Sequence, residues 1–288
     1  MRLLEQTPVT DADAAATVRD HWRARLSLGF ADDRGTTRLI ERSHFGPLRV
    51  QKPLYPEHAS VCHAIVVHPP GGVVGGDQLA ITTSVGAGAH AFITTPGAAK
   101  WYRANGHVSR QDVKLQLAAG ATLEWLPQET IFFNGADVCL DTEVSMEADA
   151  SFITSDIFCF GRTASGERFD HGRVSQRLQV RRGGKLVWFE QGALHGADAD
   201  FNGLLGLNGH TVCATLLAVG RQASAACVQT LREEACPGFG VSQMKSVLVA
   251  RYIGDSSQEA RRLMHRAWRL LRPALLDRDA VTPRIWNT

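Results

Sequence analysis

The stretch Gly88-Ala89-His90-Ala91-Phe92-Ile93-Thr94 decides the fold, because the chain repeats its pattern of a turn followed by an apolar run. The pattern returns 32 residues later at Gly120-Ala121 before Thr122 to Leu126, and again 29 residues later at Asp149-Ala150 before Ser151 to Thr154. A weaker fourth copy, Gly184 before Leu186 to Glu190, follows after 35 residues. Repeats of about 30 residues are typical of stacked coils, since one unit cannot bury its own apolar face.

Segments that alternate polar and apolar residues lie between the copies. Apolar side chains at every second position predict strands with one buried face and one face in water. The positions on the predicted buried face are Val113, Leu115 and Leu117; Leu140, Thr142, Val144 and Met146; and Val174, Leu178 and Val180. The sequence therefore predicts a mainly β fold, a helical, solenoid-like stack of strands and turns rather than a Greek-key sandwich.

Different patterns flank the repeat. Residues 1–20 are rich in Ala, Asp and Thr without a stable period, which predicts a flexible leader before a single β-rich domain over 21–288. A small C-terminal part mixes strands with helical segments near 222–236 and 256–272. The second helix begins at a capping box, Ser256 to Glu259, and Pro273 is predicted to end it. Its five arginines are expected mostly on the side opposite the apolar face, as a solvated or protein-facing surface, at positions 261, 262, 266, 269 and 272.

A glycine-dense crossing, His68 to Leu79, joins two of the β-like runs. Six of its twelve residues are Gly or Pro, which suggests tight turns or a close backbone approach. It is not a P-loop, because no Lys follows the glycines and the next run is β-like. Its paired glycines most simply let strands close over one another, with Asp77 at the rim of the interior.

Composition excludes several classes of function. The formal net charge is +2, with 31 basic and 29 acidic residues, so no electrostatic argument favours nucleic acid or an anionic membrane. No apolar run approaches the ~18 residues of a membrane-spanning helix, and the N-terminus lacks a signal-peptide core, which predicts a cytoplasmic protein. The six cysteines form no C-x-x-C pair, as expected of small buried apolar side chains.

Carboxylates in apolar surroundings are the residues that suggest chemistry. Asp77, Glu129, Asp156 and Glu167 lie within or beside apolar runs, where a charge is costly unless it is paired or functional. One interpretation is a simple ion pair, for instance of Arg162 with Asp156 or Glu167. The other is a role in passing a hard or borderline cation. No nucleophile elbow and no H-E-x-x-H motif is present.

Six blocks of sequence, in order, resemble the UreD family of urease accessory proteins, also called UreH. The blocks are Arg42 to Glu57, His68 to Asp77, Thr94 to Arg103, Glu124 to Ile131, Gly161 to Glu167, and Pro283 to Thr288, and the resemblance as a whole runs from about Trp22 to the last residue. Where many relatives in that family have Trp-Glu ahead of the Gly-Arg block, this chain has Ser155-Asp156.

The resemblance implies a non-enzymatic chaperone of the cytoplasm. Members of the family bind urease apoprotein and the accessory proteins UreF and UreG in a heteromeric complex and help to insert nickel into the urease active site. They are thought to conduct nickel through an internal passage, which implies transient nickel rather than a tightly bound cofactor. The hypothesised lining of that passage here is Asp77, Glu129, Asp156, Glu167 and Glu190, since spaced carboxylates can bind and release a cation.

Two other classes stay open on the residues alone. One is a small hydrolase or transferase that uses His68 and Asp77 at the Gly-rich crossing. The missing nucleophile and orienting base count against it. The other is a generic structural β-solenoid, which the irregular C-terminal part and the clustered prolines disfavour.

Overall fold

The computed structural model describes residues 21–196 and 199–287, so the leader predicted for residues 1–20 lies outside the described residues. In these ranges the strands form two sheets. The seven-stranded sheet contains, in spatial order, β14 (Lys185–His195), β13 (Arg173–Arg182), β11 (Asp137–Met146), β8 (Ser109–Leu117), β5 (Gln78–Val85), β1 (Arg23–Asp33) and β2 (Thr36–Phe45). The ten-stranded sheet contains β16 (Phe239–Met244), β17 (Val247–Gly254), β15 (Val212–Val219), β12 (Ser151–Phe160), β9 (Thr122–Leu126), β6 (His90–Thr94), β4 (Val61–Val67) and β3 (Arg49–Val50), with β10 (Thr130–Phe132) and β7 (Ala99–Trp101) as a side branch.

Successive coils stack in register, which confirms the solenoid-like fold. Gln78 of β5 pairs in parallel with Arg110 of β8, Arg110 with Cys139 of β11, and Cys139 with Ser175 of β13. The three repeated stretches form β6, β9 and the first half of β12, which pair in parallel in the other sheet. Each coil therefore contributes one strand to each sheet, and the stack makes about four turns.

The fourth copy of the repeat was wrongly predicted. Its strand, β14, pairs antiparallel with β13 in the seven-stranded sheet instead of stacking on β12. The reason is the short connection: Gly183 and Gly184, both with positive φ, form a two-residue hairpin turn that reverses the chain at once. A parallel coil would need a much longer crossover.

The C-terminal helices are α2 (Ala225–Arg232) and α3 (Ser257–Leu276), where two helical segments were predicted; a short helix, α1 (Ala199–Asn202), was not predicted. Ser256 caps α3 by accepting the Glu259 N–H at 3.1 Å, whereas the Glu259 carboxylate binds Arg262 and leaves the capping box half formed. Pro273 does not end α3, contrary to prediction. The helix continues for three more residues because Leu275 is buried against the sheet, and this burial outweighs one missing backbone hydrogen bond.

The ten-stranded sheet is covered on both faces. Its inner face packs on the seven-stranded sheet around one apolar cluster, and its outer face packs on α2 and α3 around a second. Consecutive side chains of a strand point to opposite faces, so the strands β4, β6, β9, β12, β15 and β17 each supply both clusters. In β12, Phe158 packs in the inner cluster and Ile157 in the outer one.

Candidate functional site

The Gly-rich segment 68–77, called the Gly-rich wall below, closes one end of the space between the sheets. Val73 pairs in parallel with Trp101, so the segment starts the short ladder that β7 and β10 continue. A Cβ on Gly72 would lie 2.2 Å from the Tyr102 ring, and one on Gly75 would lie 1.8 Å from the Ala104 carbonyl oxygen. The paired glycines therefore permit a close approach of neighbouring coils, as the sequence predicted.

A cavity of about 300 Å³ lies between the two sheets, directly inside the Gly-rich wall. Gln111, Thr142 and Gln176 reach it from the seven-stranded sheet, at positions of the pleat that elsewhere carry core residues such as Leu79 and Val113. His68, Gln128 and Asp156 line it from the opposite side. A void with this many polar groups can hold water, unlike an apolar void of similar size.

Asp156 is the predicted carboxylate that borders the cavity. It makes no hydrogen bond with any residue in the described part of the chain. Burial, with a smaller contribution from the negative charge of Glu190, raises the pKa of Asp156 to about 6. At neutral pH the cavity therefore holds an ionised carboxylate that no cationic side chain of the described residues neutralises.

Glu190 lies near Asp156 but is itself paired. Its Oε1 atom is 2.8 Å from Nη2 of Arg251, which joins the edge strand β14 to β17 of the other sheet. Arg251, Thr215 and Asp156 belong to one row of paired residues across β17, β15 and β12. The Glu190–Arg251 ion pair therefore lies at the side of the intersheet space that adjoins Asp156.

Asp77 stabilises the Gly-rich wall. Its Oδ1 atom accepts the Trp22 N–H at 3.2 Å and its Oδ2 atom accepts the Val74 N–H at 3.1 Å. The side chain is buried, yet it also lines a cleft of about 570 Å³ on the outer side of the wall. The position at the rim of the interior agrees with the interpretation of the sequence, and backbone N–H groups hold the carboxylate there.

The other two predicted carboxylates lie away from the cavity. Glu129 is on the outer face, where Oε1 accepts from Arg261 Nε of α3 at 2.6 Å. Glu167 accepts the Asn134 N–H and pairs with Arg162, as the ion-pair interpretation expected. The structure thus brings Asp156 and Glu190 together and separates Asp77, Glu129 and Glu167 from them. The metal role of the five carboxylates stays a prediction.

His68 and Asp77 do not form a catalytic dyad. Both Asp77 oxygens bind backbone N–H groups, and the buried Nε2 atom of His68 has no hydrogen-bond partner among the described residues. Burial lowers the pKa of His68, although the charge of Asp77 opposes this. The imidazole is therefore neutral at pH 7 and is not oriented as a general base by a carboxylate.

A buried charge network on the outer face was not predicted. Glu124 accepts Trp268 Nε1 at 2.6 Å and Arg272 Nε at 3.0 Å, and its Oε1 atom lies 2.7 Å from His90 Nε2. Arg272 also binds Glu57, which in turn contacts His63. Burial alone would raise the pKa of Glu124, but His90, Arg272 and Trp268 together lower it.

Arg272 is the exception among the arginines that the sequence places mostly opposite the apolar face of α3, since its side chain is completely buried. The available signal was Glu124 within the apolar run Thr122 to Leu126, which demanded a buried partner. The partner itself could not be identified, because Arg272 is 148 residues away in sequence.

Within 21–196 and 199–287, no group of three or more His, Cys, Asp or Glu side chains is arranged to hold a metal ion. No helix in the described ranges is both long enough and apolar enough to span a membrane.

Comparison with known proteins gives one consistent answer. Residues 23–287 match the family model described as UreD urease accessory protein. A protein of Janthinobacterium sp. (strain Marseille), named urease accessory protein UreD, is 61% identical over 97% of this chain and 96% of its own length. Proteins of the same name from Nitrosospira multiformis and Dechloromonas aromatica are 52% and 49% identical, over 92% and 93% of this chain and 98% and 95% of their own lengths.

Proposed function

The chain belongs to the UreD family of urease accessory proteins and acts in urease maturation, not as an enzyme; we propose that it is a cytoplasmic chaperone through which nickel reaches urease. In this proposal the chain binds urease apoprotein, UreF and UreG in a heteromeric complex. Nickel passes transiently through the cavity between the two sheets and is not retained as a cofactor.

The observation that carries the proposal is the polar cavity with its unpaired carboxylate. A chain that only needed a stable core would fill this space with apolar side chains, as it does at Val113 and Leu178 on the same face. It instead places Gln111, Thr142 and Gln176 opposite Asp156. Weak, spaced oxygen ligands let a cation enter and leave, whereas a closed cage of ligands would trap it.

The experiment compares Asp156→Asn with Asp112→Asn in cells that produce urease and its accessory proteins. Both substitutions remove one negative charge from a strand of the stack, but Asp112 lies on the exposed face of β8 and its side chain is 43% exposed. The readouts are co-purification of the chain with UreF, UreG and urease, and the nickel content of the isolated urease.

We expect both variants to assemble the complex, and Asp156→Asn alone to lower the nickel content of urease. Wild-type nickel content with Asp156→Asn would contradict the proposed passage. Failure of the wild-type chain to co-purify with UreF or urease would contradict the proposed partners.

A further inference from the structure

Three imidazoles lie on the two sides of the Gly-rich wall. On the outer side, His21 and His107 line the cleft that Asp77 also borders. On the inner side, His68 lines the cavity that contains Asp156. Gly72 lines both spaces, so the cleft and the cavity are separated at this point by a single segment of backbone.

His21 and His107 form a pair. Their ring centroids are 4.7 Å apart and the rings are tilted by 58°. Both residues are exposed, and neither ring makes a hydrogen bond to another described residue. The His21 ring packs on Gly76, where a Cβ would approach its Nδ1 atom to 2.1 Å. The backbone of the wall therefore holds this imidazole at the cleft.

His68 has a nitrogen without a protein partner. Its Nε2 atom is buried and lacks a hydrogen bond among the described residues. Buried polar atoms of native proteins nearly always have a partner, so a water or an ion is expected at such an atom. Because burial lowers the pKa of His68, its imidazole is neutral at pH 7 and can act as a ligand.

The chemistry of these ligands differs from that of the carboxylates. Carboxylates and amide oxygens suit Mg²⁺ and Ca²⁺, whereas imidazole suits Ni²⁺, Zn²⁺ and Cu²⁺. A passage lined by Asp156 and glutamine side chains alone would not favour nickel over the abundant Mg²⁺. Imidazole ligands beside such a passage would supply the preference that carboxylates lack.

We propose that His21 and His107 capture a borderline divalent cation such as Ni²⁺ in the outer cleft, and that His68 receives it on the inner side of the Gly-rich wall. This inference rests on the proposed function. Each of these two binding positions, called imidazole stations, offers no more than two imidazoles, in agreement with the absence of any three-ligand group in the described ranges. The ion keeps part of its water shell at each station and can exchange ligands quickly.

The test follows the histidine ring signals of the full-length chain by NMR while Ni²⁺ or Mg²⁺ is added. The chain has 11 histidines, few enough to assign by substitution. We expect paramagnetic Ni²⁺ to broaden the signals of His21, His107 and His68 first, and Mg²⁺ to leave them unchanged. Broadening spread evenly over the exposed histidines would overturn the proposal.

Variants give the second readout, the affinity for Ni²⁺ by calorimetry. We compare His21→Gln/His107→Gln, His68→Gln and, as the control, His58→Gln, whose exposed ring bonds to Ser60 alone among the residues that the structure describes. The first two should lose about tenfold or more in Ni²⁺ affinity, comparable to the loss of a supporting group at a metal site, and the control should lose none. The outer pair is exposed, so its variant tests the proposal even if His68→Gln fails to fold.

The two proposals fail in different ways. If the wild-type chain raises the nickel content of urease but the histidine variants bind Ni²⁺ like wild type, the imidazole stations are wrong and the passage stands. If Ni²⁺ binds at the three imidazoles but the wild-type chain leaves the nickel content of urease unchanged, the chaperone function is wrong and the binding sites stand.

Discussion

The two faces of the ten-stranded sheet both bury charged groups, but they treat them in opposite ways. On the outer face, Glu124 and Glu57 receive hydrogen bonds from Arg272, and Trp268 Nε1 donates to Glu124. On the inner face, Asp156 and the Nε2 atom of His68 have no partner among the described residues. The charged groups of the outer face bind one another and hold α3 on the sheet, whereas those of the inner face have no protein partner among the described residues.

The largest expected effect comes from breaking the outer network. Arg272→Met keeps most of the side-chain volume but leaves the buried carboxylates of Glu124 and Glu57 without their cation. This should lower the free energy of unfolding by about 3–5 kcal/mol. Urea denaturation measures the change. Arg262→Met is the matched control on the same helix, since its side chain is 50% exposed and its ion pairs contribute about 1 kcal/mol or less.

The stability lost in Arg272→Met should be larger at neutral pH than at acidic pH. Because the pKa values of Glu124 and Glu57 are lowered in the folded state, the network stabilises the protein above the usual pKa of glutamic acid. Its contribution disappears as the pH falls below about 4. An equal loss for Arg272→Met and Arg262→Met would refute the distinction between a buried network and surface pairs.

On the inner face, removing the charge of Asp156 should raise the free energy of unfolding instead of lowering it. The pKa of Asp156 is raised from 3.8 to about 6, so its contribution to stability is complete at low pH and is lost as the pH rises through 6. Asp156→Asn should therefore stabilise the protein at pH 8 by about 2–3 kcal/mol. About 1 kcal/mol of this gain should appear between pH 5 and pH 8. Urea denaturation at both pH values checks it, and a destabilised variant at pH 8 would show that Asp156 is paired in solution.

The smallest expected effect comes from weakening α3 itself without touching the buried charge network. Ser256→Ala removes the N-cap of α3 without contact to Glu124 or Arg272 and should cost about 1 kcal/mol. The same denaturation assay applies. A loss as large as that of Arg272→Met would mean that the network acts only by keeping α3 folded.

The repeat made the stack of strands predictable. The period of about 30 residues determines which strands pair, and the alternation of polar and apolar residues determines which side chains face the core. The fourth copy failed because a two-glycine hairpin and a coil crossover share the same local pattern of turn and strand. Pro273 failed for a related reason: local rules omit the burial of Leu275, which keeps the helix intact.

The candidate site was predicted less completely. The sequence identifies carboxylates in apolar runs, but it does not identify their partners, and the partner decides the role. Glu129 and Asp156 look alike in sequence, yet Arg261 neutralises Glu129, 132 residues away, and no described residue pairs with Asp156. The sequence names His68 only as a possible partner of Asp77, and the fold shows instead that its Nε2 atom is buried without a hydrogen-bond partner among the described residues.

The most direct test of the contrast between the faces measures stability and nickel delivery in one variant. For Asp156→Asn at pH 8, urea denaturation gives the free energy of unfolding, and metal analysis of co-produced urease gives nickel per active site. We predict a more stable chain that assembles the complex but delivers less nickel. A more stable chain that delivers nickel at the wild-type level would contradict the claim that the destabilising charge of Asp156 serves the passage of nickel.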